Sequence, residues 1–174
     1  SPLKIGSNKS SLASPFFKSF CLAALFFLIE VCGIAQAADP IFPKLSSPVV
    51  DEAHLLSSEE ENRLKIVLQN LEAKSSDQVA IVTVPSLQGF SIEDFGYKLG
   101  RHWGLGQAQK DNGVLLIVAP LERKVRIEVG KRLEPILTDA MSKLIISNAI
   151  LPLFRRGDFS SGIAAGVRDI QDIL

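Results

Sequence analysis

The sequence predicts an α/β protein: a three-layer αβα sandwich in which one mixed sheet of about four strands carries helices on both faces. Short β-branched segments alternate along the chain with segments that have the apolar repeat of helices. Residues 113–119 (GVLLIVA) are too uniformly apolar for a half-exposed strand, whereas residues 124–129 alternate between charged and apolar. The length of 174 residues and the hydrophobic fraction of 47% suit one globular domain with extensions.

A capping motif and a helical repeat mark the first helix. Ser57 and Ser58 are each followed three residues later by a glutamate, so two overlapping capping boxes are available. The apolar residues behind them recur at helical spacing and form one buried face: Leu64, Val67, Leu68 and Leu71. The β-branched run 78–84 is predicted to be a buried strand that ends at Pro85. Upstream, Val49–Asp51 is expected to be a short strand or the entry to the fold.

The alternation of helix and strand continues in the second half of the chain. Ser91 is predicted to cap a helix whose apolar side carries Ile92, Phe95 and Leu99. Strands 113–119 and 124–129 are predicted to form a hairpin. In the second strand, Val125, Ile127 and Val129 are expected to face the core, and Lys124, Arg126 and Glu128 to face outward.

Two further helices are predicted near the C-terminal end of the sequence. The first begins at Thr138 or Asp139, runs to about Ile150 and stops at Pro152. The second is capped by Asp158. Its buried face is expected to carry Ile163, Val167, Ile170 and Leu174.

Residues 1–37 are predicted to be a secretory signal peptide. Lysines precede an apolar stretch, and Ala35-Gln36-Ala37 matches the small-x-small cleavage pattern. A membrane anchor is the alternative, but Glu30 interrupts the run, which falls short of the roughly 20 residues that a spanning helix needs. Residues 38–48, with three prolines, are expected to be an extended linker before one domain at 49–174. The protein is therefore expected to be exported to the periplasm or another extracytoplasmic space at or near a membrane.

Charge and cysteine content exclude several function classes. The formal net charge is zero, and no basic stripe with interleaved aromatic residues is present, which argues against nucleic-acid binding. Without residues 1–38, which hold three lysines and one glutamate, 16 basic and 18 acidic residues remain. Cys21 and Cys32 both lie in the predicted signal peptide. The mature chain would therefore have neither a thiol nucleophile nor a cysteine-bound zinc ion.

Oxygen-bearing side chains at predicted turns and strand ends form a candidate metal site. The candidate ligands are Asp51, Asp111, Asn112, Glu128, Glu134 and Asp139. Carboxylates and an asparagine amide suit Ca²⁺, with Mg²⁺ as the alternative, rather than a transition metal. Asp111-Asn112-Gly113 is expected both to turn the chain into strand 113–119 and to supply oxygen donors. Each candidate also has a structural interpretation as a turn residue, a helix cap, a first-turn dipole partner or part of a solvated strand face.

Five motifs occur in order between residues 49 and 174. They are Val50-Asp51, Trp103-Gly104-x-Gly106, Asp111-Asn112-Gly113-Val114-Leu115, the run from Arg126-x-Glu128-x-Gly130 through Leu133-Glu134 to Thr138-Asp139, and Phe154-Arg155-x-Gly157-Asp158. Together they resemble the TPM domain, a family named after plant thylakoid-lumen, photosystem-associated and nematode receptor-modulating proteins. The resemblance implies an αβα sandwich on the extracytoplasmic side of a membrane, often followed by a transmembrane helix or a glycine-rich tail.

The resemblance leaves more than one activity open. Some members are described as acid phosphatases, others as calcium-binding modules, and others assist membrane complexes. We expect a Ca²⁺-binding interaction module that serves a membrane or envelope complex. The alternative is a metal-assisted acid phosphatase of broad specificity acting on small phosphorylated substrates, with Asp111 or Asp51 holding the metal. The candidate phosphate contacts in that case are Arg126, Arg155 and Arg156.

Overall fold

A computed structural model of the protein describes residues 38–174, of which residues 40–174 belong to one unit. The predicted signal peptide, residues 1–37, lies outside the described residues. The strands are β1 (Val49–Asp51), β2 (Gln78–Thr83), β3 (Gly113–Ala119) and β4 (Lys124–Val129). The helices are α1 (Ser58–Ser75), α2 (Ile92–Trp103), α3 (Asp139–Ile145), α4 (Leu151–Phe154) and α5 (Phe159–Ile173), with a π-helical turn (Ile146–Ile150) between α3 and α4.

The four strands form one mixed sheet in the order β1-β2-β3-β4. Strands β1, β2 and β3 are parallel to one another. Strand β4 returns antiparallel to β3, so that Ala119 lies opposite Lys124 and Val114 lies opposite Val129. The predicted four-stranded mixed sheet and the predicted hairpin are therefore confirmed.

The sheet has two unlike ends. The parallel strands finish at Asp51, Thr83 and Ala119, and we call this end the carboxyl edge. The opposite end, which we call the amino edge, holds the first residues of β2 and β3. Because β4 is antiparallel, its last residue, Val129, also lies at the amino edge.

Helices cover both faces of the sheet. Since successive residues of a strand point to opposite faces, neighbouring residues of β3 pack into two different cores. Leu116 of β3 belongs to a core that includes Leu68 of α1 and apolar residues of α5. Leu115 and Ile117 belong to a second core with Phe95 of α2. All seven residues of β3 are buried, as expected for a central strand covered on both sides. The predicted αβα sandwich is confirmed.

The helices begin at the predicted capping residues. Ser57, not Ser58, is the N-cap of α1, because its hydroxyl accepts a hydrogen bond from the backbone N–H of Glu60 at 3.2 Å. The Glu60 carboxylate accepts in return from the N–H of Ser57 at 2.7 Å, which completes a capping box. The remaining side-chain caps are Ser91 for α2, Thr138 for α3 and Asp158 for α5.

The helix that begins at α3 does not stop at Pro152, so the predicted stop is wrong. The chain stays helical to Phe154 through the π-helical turn, in which the N–H of Leu151 donates to the carbonyl of Ile146. A proline inside an α-helix lacks an N–H and clashes with the carbonyl four residues earlier. The π turn adds one residue before Pro152. The proline then lies in the first turn of α4, where no donor is required.

The charged face of β4 is not exposed in the way that its alternation predicted. The side chains of Arg126 and Glu128 are only 30% and 23% exposed. Helix α2 packs on this side of β4, and Gly96 brings it close, since a Cβ at this position would lie 2.5 Å from Cδ1 of Ile117. The predicted inward residue Ile127 is buried. The inward prediction is confirmed at Ile127, and Lys124 is exposed as predicted. The expected exposure is wrong for Arg126 and Glu128, because α2 partly covers them.

Residues 38–48 have no helix or strand. Within this segment, Phe42 and Pro43 contact the α2 side of the fold. Nε1 of Trp103 donates to the carbonyl of Pro43 at 2.8 Å, and the ring of Phe42 lies 5.4 Å from that of Phe95 and 5.1 Å from that of His102. Across residues 38–174, every helix is too short or too polar to span a membrane.

Candidate functional site

Three glycines hold the amino edge together through contacts between backbones. A Cβ at Gly113 would lie 2.8 Å from the carbonyl oxygen of Leu105, and one at Gly130 would lie 2.1 Å from that of Asp111. Gly106 has a φ of +98°, which also favours glycine. We call this arrangement of Gly106, Gly113 and Gly130 the glycine junction. It joins the segments that follow α2, precede β3 and follow β4.

Asn112 supports the glycine junction from the inside and is 1% exposed. Its Oδ1 accepts a hydrogen bond from the N–H of Gln107 at 2.8 Å, and its Nδ2 donates to the carbonyl of Ser76 at 2.6 Å. Nδ2 also lies 3.4 Å from Oδ1 of Asp77. Asn112 therefore connects the loop after α2 with the end of α1. Its oxygen faces a backbone N–H rather than solvent.

Asp111 and Glu134 are exposed carboxylates on the segments that meet at this junction. Asp111 has a φ of +47°, and its backbone carbonyl accepts a hydrogen bond from the N–H of Arg132 at 3.3 Å. Leu133, next to Glu134, is buried and fixes that segment. The assigned turn before β3 covers residues 108–110 and is closed by the N–H of Lys110, which donates to the carbonyl of Gln107 at 2.9 Å. It therefore ends just before the predicted turn at residues 111–113, and the side chains of Asp111 and Glu134 are exposed.

Glu128 and Asp139 are each paired with a cation of the chain itself. Nε of Arg126 lies 2.6 Å from Oε2 of Glu128. Nζ of Lys143 lies 2.8 Å from Oδ2 of Asp139, one helical turn away on α3. The Lys143 hydrogen bond and charge, with a smaller contribution from the charge of Arg126, lower the pKa of Asp139. Both carboxylates already have counter-ions.

Asp51 lies at the carboxyl edge, at the other end of the sheet from Asp111. Its carboxylate accepts hydrogen bonds from the N–H groups of Leu55 at 3.0 Å and Leu56 at 2.9 Å. It also accepts one from the hydroxyl of Thr83. Asp51 therefore organises the turn between β1 and α1.

The six predicted ligands do not surround a single ion. The length of the sheet separates Asp51 from Asp111, and Asn112 is buried with its oxygen engaged. Within residues 38–174, no three Asp, Glu, His or Cys side chains lie close enough to share a metal ion. Calcium binding through the exposed carboxylates of Asp111 and Glu134 stays a prediction.

A cavity of about 600 Å³ lies at the carboxyl edge, beside the β3–β4 hairpin. Its other wall comes from α4 and the first residue of α5. The basic side chains that line it are Arg123, Lys124 and Arg155, and all three are exposed. The sequence pointed to Arg155 as a candidate phosphate contact, but it did not point to Arg123 or Lys124. Nothing local in the sequence links the hairpin to α4, so the cavity could be found only from the fold.

The surface of α3 carries exposed apolar side chains that the sequence analysis did not single out. Met141 and Leu144 lie one turn apart on α3 and are 38% and 52% exposed. Ile136, in the turn that leads into α3, is 52% exposed. We call these three residues the α3 surface. Asp139 and Lys143 form their ion pair on the same helix.

Comparison with known proteins identifies the family. The family model of the TPM domain matches residues 49–173. The chain belongs to the TPM domain family. The predicted resemblance is therefore confirmed over nearly the whole of the described chain. A comparison with curated proteins found no match.

Solved structures show the same TPM fold. The N-terminal domain of a protein from P. gingivalis, solved in solution, is 37% identical over 73% of this chain and 81% of that one, with a TM-score of 0.69. The N-terminal domain of a Corynebacterium glutamicum protein is 20% identical over 78% of this chain and 84% of its own, with a TM-score of 0.59. The BA42 protein of Bizionia argentinensis is 21% identical over 68% and 81%, with a TM-score of 0.60. The last two likenesses show the fold alone.

Proposed function

We propose that this TPM-domain protein is an exported accessory module that binds a protein of a membrane or envelope complex through the α3 surface. The observation that carries the proposal is the group of large apolar side chains at Ile136, Met141 and Leu144, each more than one third exposed. Single exposed apolar residues are ordinary on soluble proteins, whereas a group of them bordered by charge is typical of a protein interface.

Charged residues of both signs border the α3 surface in the sequence and on the helix. Lys143 and Asp139 form an exposed ion pair on α3 itself. Arg132 and Glu134, both exposed, precede Ile136. A polar rim of this kind contributes specificity and the rate of association more than affinity. The apolar centre supplies the affinity in this proposal.

Photocrosslinking in living cells tests this proposal directly. A photoreactive amino acid at Leu144 is expected to form an adduct with a protein of the cell envelope. The matched position is Ile66, which is 58% exposed on α1. Adducts at both positions alike, or at neither, would contradict a specific α3 interface. Leu144→Asp is expected to remove the adduct formed from Met141, whereas Ile66→Asp should leave it, with both variants keeping the melting temperature of the wild type.

Export is part of the proposal and has its own test. Cleavage after Ala37 is expected to give a mature protein that begins at Ala38. N-terminal sequencing of the protein recovered from the periplasm or cell envelope checks this. Recovery of the uncleaved chain from the cytoplasm would contradict export and leave the α3 interface to be tested with a cytoplasmic partner.

A metal-assisted acid phosphatase has less support from the geometry. Such an enzyme needs a metal-activated water next to a bound phosphoryl group. Of the two alternative metal-holding residues, Asp51 has both carboxylate oxygens engaged by backbone N–H groups, and Asp111 lies at the opposite end of the sheet from Arg155. Of the suggested phosphate contacts, Arg126 is already paired with Glu128. Turnover of p-nitrophenyl phosphate with added Ca²⁺ or Mg²⁺, lost in Asp111→Asn, would establish the enzyme instead.

A further inference from the structure

The cavity at the carboxyl edge carries positive charge that no acidic side chain of residues 38–174 neutralises through an ion pair. Among residues 38–174, no ion pair or side-chain hydrogen bond involves Arg123, Lys124 or Arg155. The acidic residues next to them in the sequence are engaged elsewhere. Glu122 accepts a hydrogen bond from the N–H of Leu87 at 2.7 Å, and Asp158 caps α5. Three cations therefore face the same opening without a counter-ion from the described chain.

Apolar side chains also line the cavity. Val118 and Val125 contribute from the sheet, and Phe154 and Phe159 from the helices. The two aromatic rings lie in contact, with centroids 4.9 Å apart. A cavity lined by both basic and apolar side chains matches a ligand whose anionic group is attached to an apolar body. A fully hydrated inorganic anion would make no use of the apolar side chains.

An exposed apolar side chain stands beside this opening. Leu121 lies in the turn of the β3–β4 hairpin, which the N–H of Arg123 closes by donating to the carbonyl of Pro120 at 3.2 Å. Leu121 is 73% exposed, so it contributes little to the core. An apolar side chain beside basic ones combines the two contributions that hold a protein on an anionic membrane surface, which are burial of apolar area and attraction to anionic lipids.

We propose that the carboxyl edge docks on a membrane by binding the headgroup phosphate of an anionic phospholipid. Arg123, Lys124 and Arg155 hold the phosphate oxygens, and Leu121 enters the acyl-chain region. The charge decides for this occupant: three cations complement a negatively charged leaflet, whereas an uncharged protein face would desolvate them without compensation. The site shares no residue with the α3 surface, so a membrane-bound molecule can present α3 to a neighbouring protein.

Vesicle binding of the full chain tests the proposal. The wild type is compared with Arg123→Gln/Lys124→Gln/Arg155→Gln on vesicles of phosphatidylglycerol mixed with phosphatidylcholine, and on vesicles of phosphatidylcholine alone. The triple variant is expected to bind the anionic vesicles on the order of 100-fold more weakly, because each basic residue near an anionic surface contributes about a factor of five. The matched control is Lys44→Gln/Lys74→Gln/Lys131→Gln, which removes the same charge from exposed positions outside the cavity.

The comparison between the two triple variants isolates the contribution of the carboxyl edge to vesicle binding. Both variants keep residues 1–37, so any contribution of those residues is the same in both. Equal binding of the two variants would overturn the proposal. Leu121→Asn, at an exposed position that should not affect folding, is expected to weaken vesicle binding about tenfold. Glycerol phosphate and inorganic phosphate form the soluble arm of the test. Binding of either one as tight as vesicle binding, unaffected by Leu121→Asn, would overturn the membrane site in favour of a soluble phosphate site.

Discussion

The two ends of the sheet differ in how their polar side chains are paired. At the amino edge, backbone segments contact one another at the glycine junction, and the buried Asn112 amide forms hydrogen bonds with backbone groups of the chain. At the carboxyl edge, exposed cations surround a cavity and are not paired with acids of the described chain. The motif rich in Gly, Asp and Asn at the amino edge is therefore engaged largely in contacts within the chain, whereas the basic side chains at the carboxyl edge form no ion pair within residues 38–174.

Gly130→Ala is the substitution expected to have the largest effect on this contrast. The added Cβ would lie 2.1 Å from the backbone oxygen of Asp111, so β4 and the segment before β3 must separate. We expect a loss of about 3 kcal/mol or more in the free energy of unfolding, measured by urea denaturation. Gly100→Ala in α2 is the control, since its added Cβ would meet no atom within 4 Å apart from its chain neighbours and its own helix backbone. It is expected to be neutral or to stabilise by about 0.5–1 kcal/mol. Equal effects would refute the glycine junction.

Asn112→Ala addresses the polar half of the amino edge. The substitution removes both strong hydrogen bonds of the amide and leaves the N–H of Gln107 and the carbonyl of Ser76 without this partner. The expected loss is about 2 kcal/mol in the free energy of unfolding. Asn70→Ala, at an exposed position on α1, should change it by less than about 0.5 kcal/mol. A loss of the same size at Asn70 would show that the amide network has no special role.

Ser57→Ala probes the carboxyl edge, where α1 begins, and is expected to matter less. It removes the hydroxyl that accepts from the N–H of Glu60. The expected loss is about 1 kcal/mol, measured by thermal denaturation. Ser58→Ala is the neighbouring control and should be close to neutral, because Ser58 is not the N-cap. The reverse order would mean that the helix begins one residue later.

The pH dependence of Glu60 is the smallest expected effect. A hydrogen bond from Ser160 and a second from the N–H of Ser57 lower the pKa of Glu60 below its ordinary value of 4.5. Because the folded pKa lies below the unfolded one, the charged form stabilises the fold above the ordinary pKa. This contribution is lost as the pH falls through the lowered value. Ser160→Ala should raise the pKa of Glu60 in an NMR titration, whereas Ser161→Ala should not. If the pKa of Glu60 stayed the same in both variants, the contact between α1 and α5 through Ser160 would be contradicted.

Much of the fold could be predicted because its signals are local. Capping serines precede α1 and α2, and the uniform burial of β3 follows from seven consecutive apolar or small residues. The predictions that were wrong concern residues whose structure depends on the segments packed around them. Pro152 is accommodated by a π-helical turn, which its own residue type does not predict. Arg126 is half-buried because Gly96 lets α2 approach, and the alternation of β4 carries no information about that helix.

The candidate site was less predictable for a related physical reason. The residue types at Asp51 and Asn112 suit metal ligands and structural hydrogen bonds equally well, and only their partners distinguish the two roles. The same holds for the cavity, which combines Lys124 of β4 with Arg155 at the end of α4. Leu121 and Leu144 are ordinary leucines in the sequence, and their exposure is a property of the fold.

The most direct test of the contrast between the two ends is the free energy of unfolding of the wild type and Asn112→Ala, each measured with EDTA and with excess Ca²⁺. If Asn112 holds the amino edge through internal hydrogen bonds, the variant loses the same stability, about 2 kcal/mol, in both conditions. If Asn112 instead contributes an oxygen to a calcium site, the loss is present with Ca²⁺ and disappears with EDTA. That second result would contradict a purely structural role for the amino edge and restore it as a metal site.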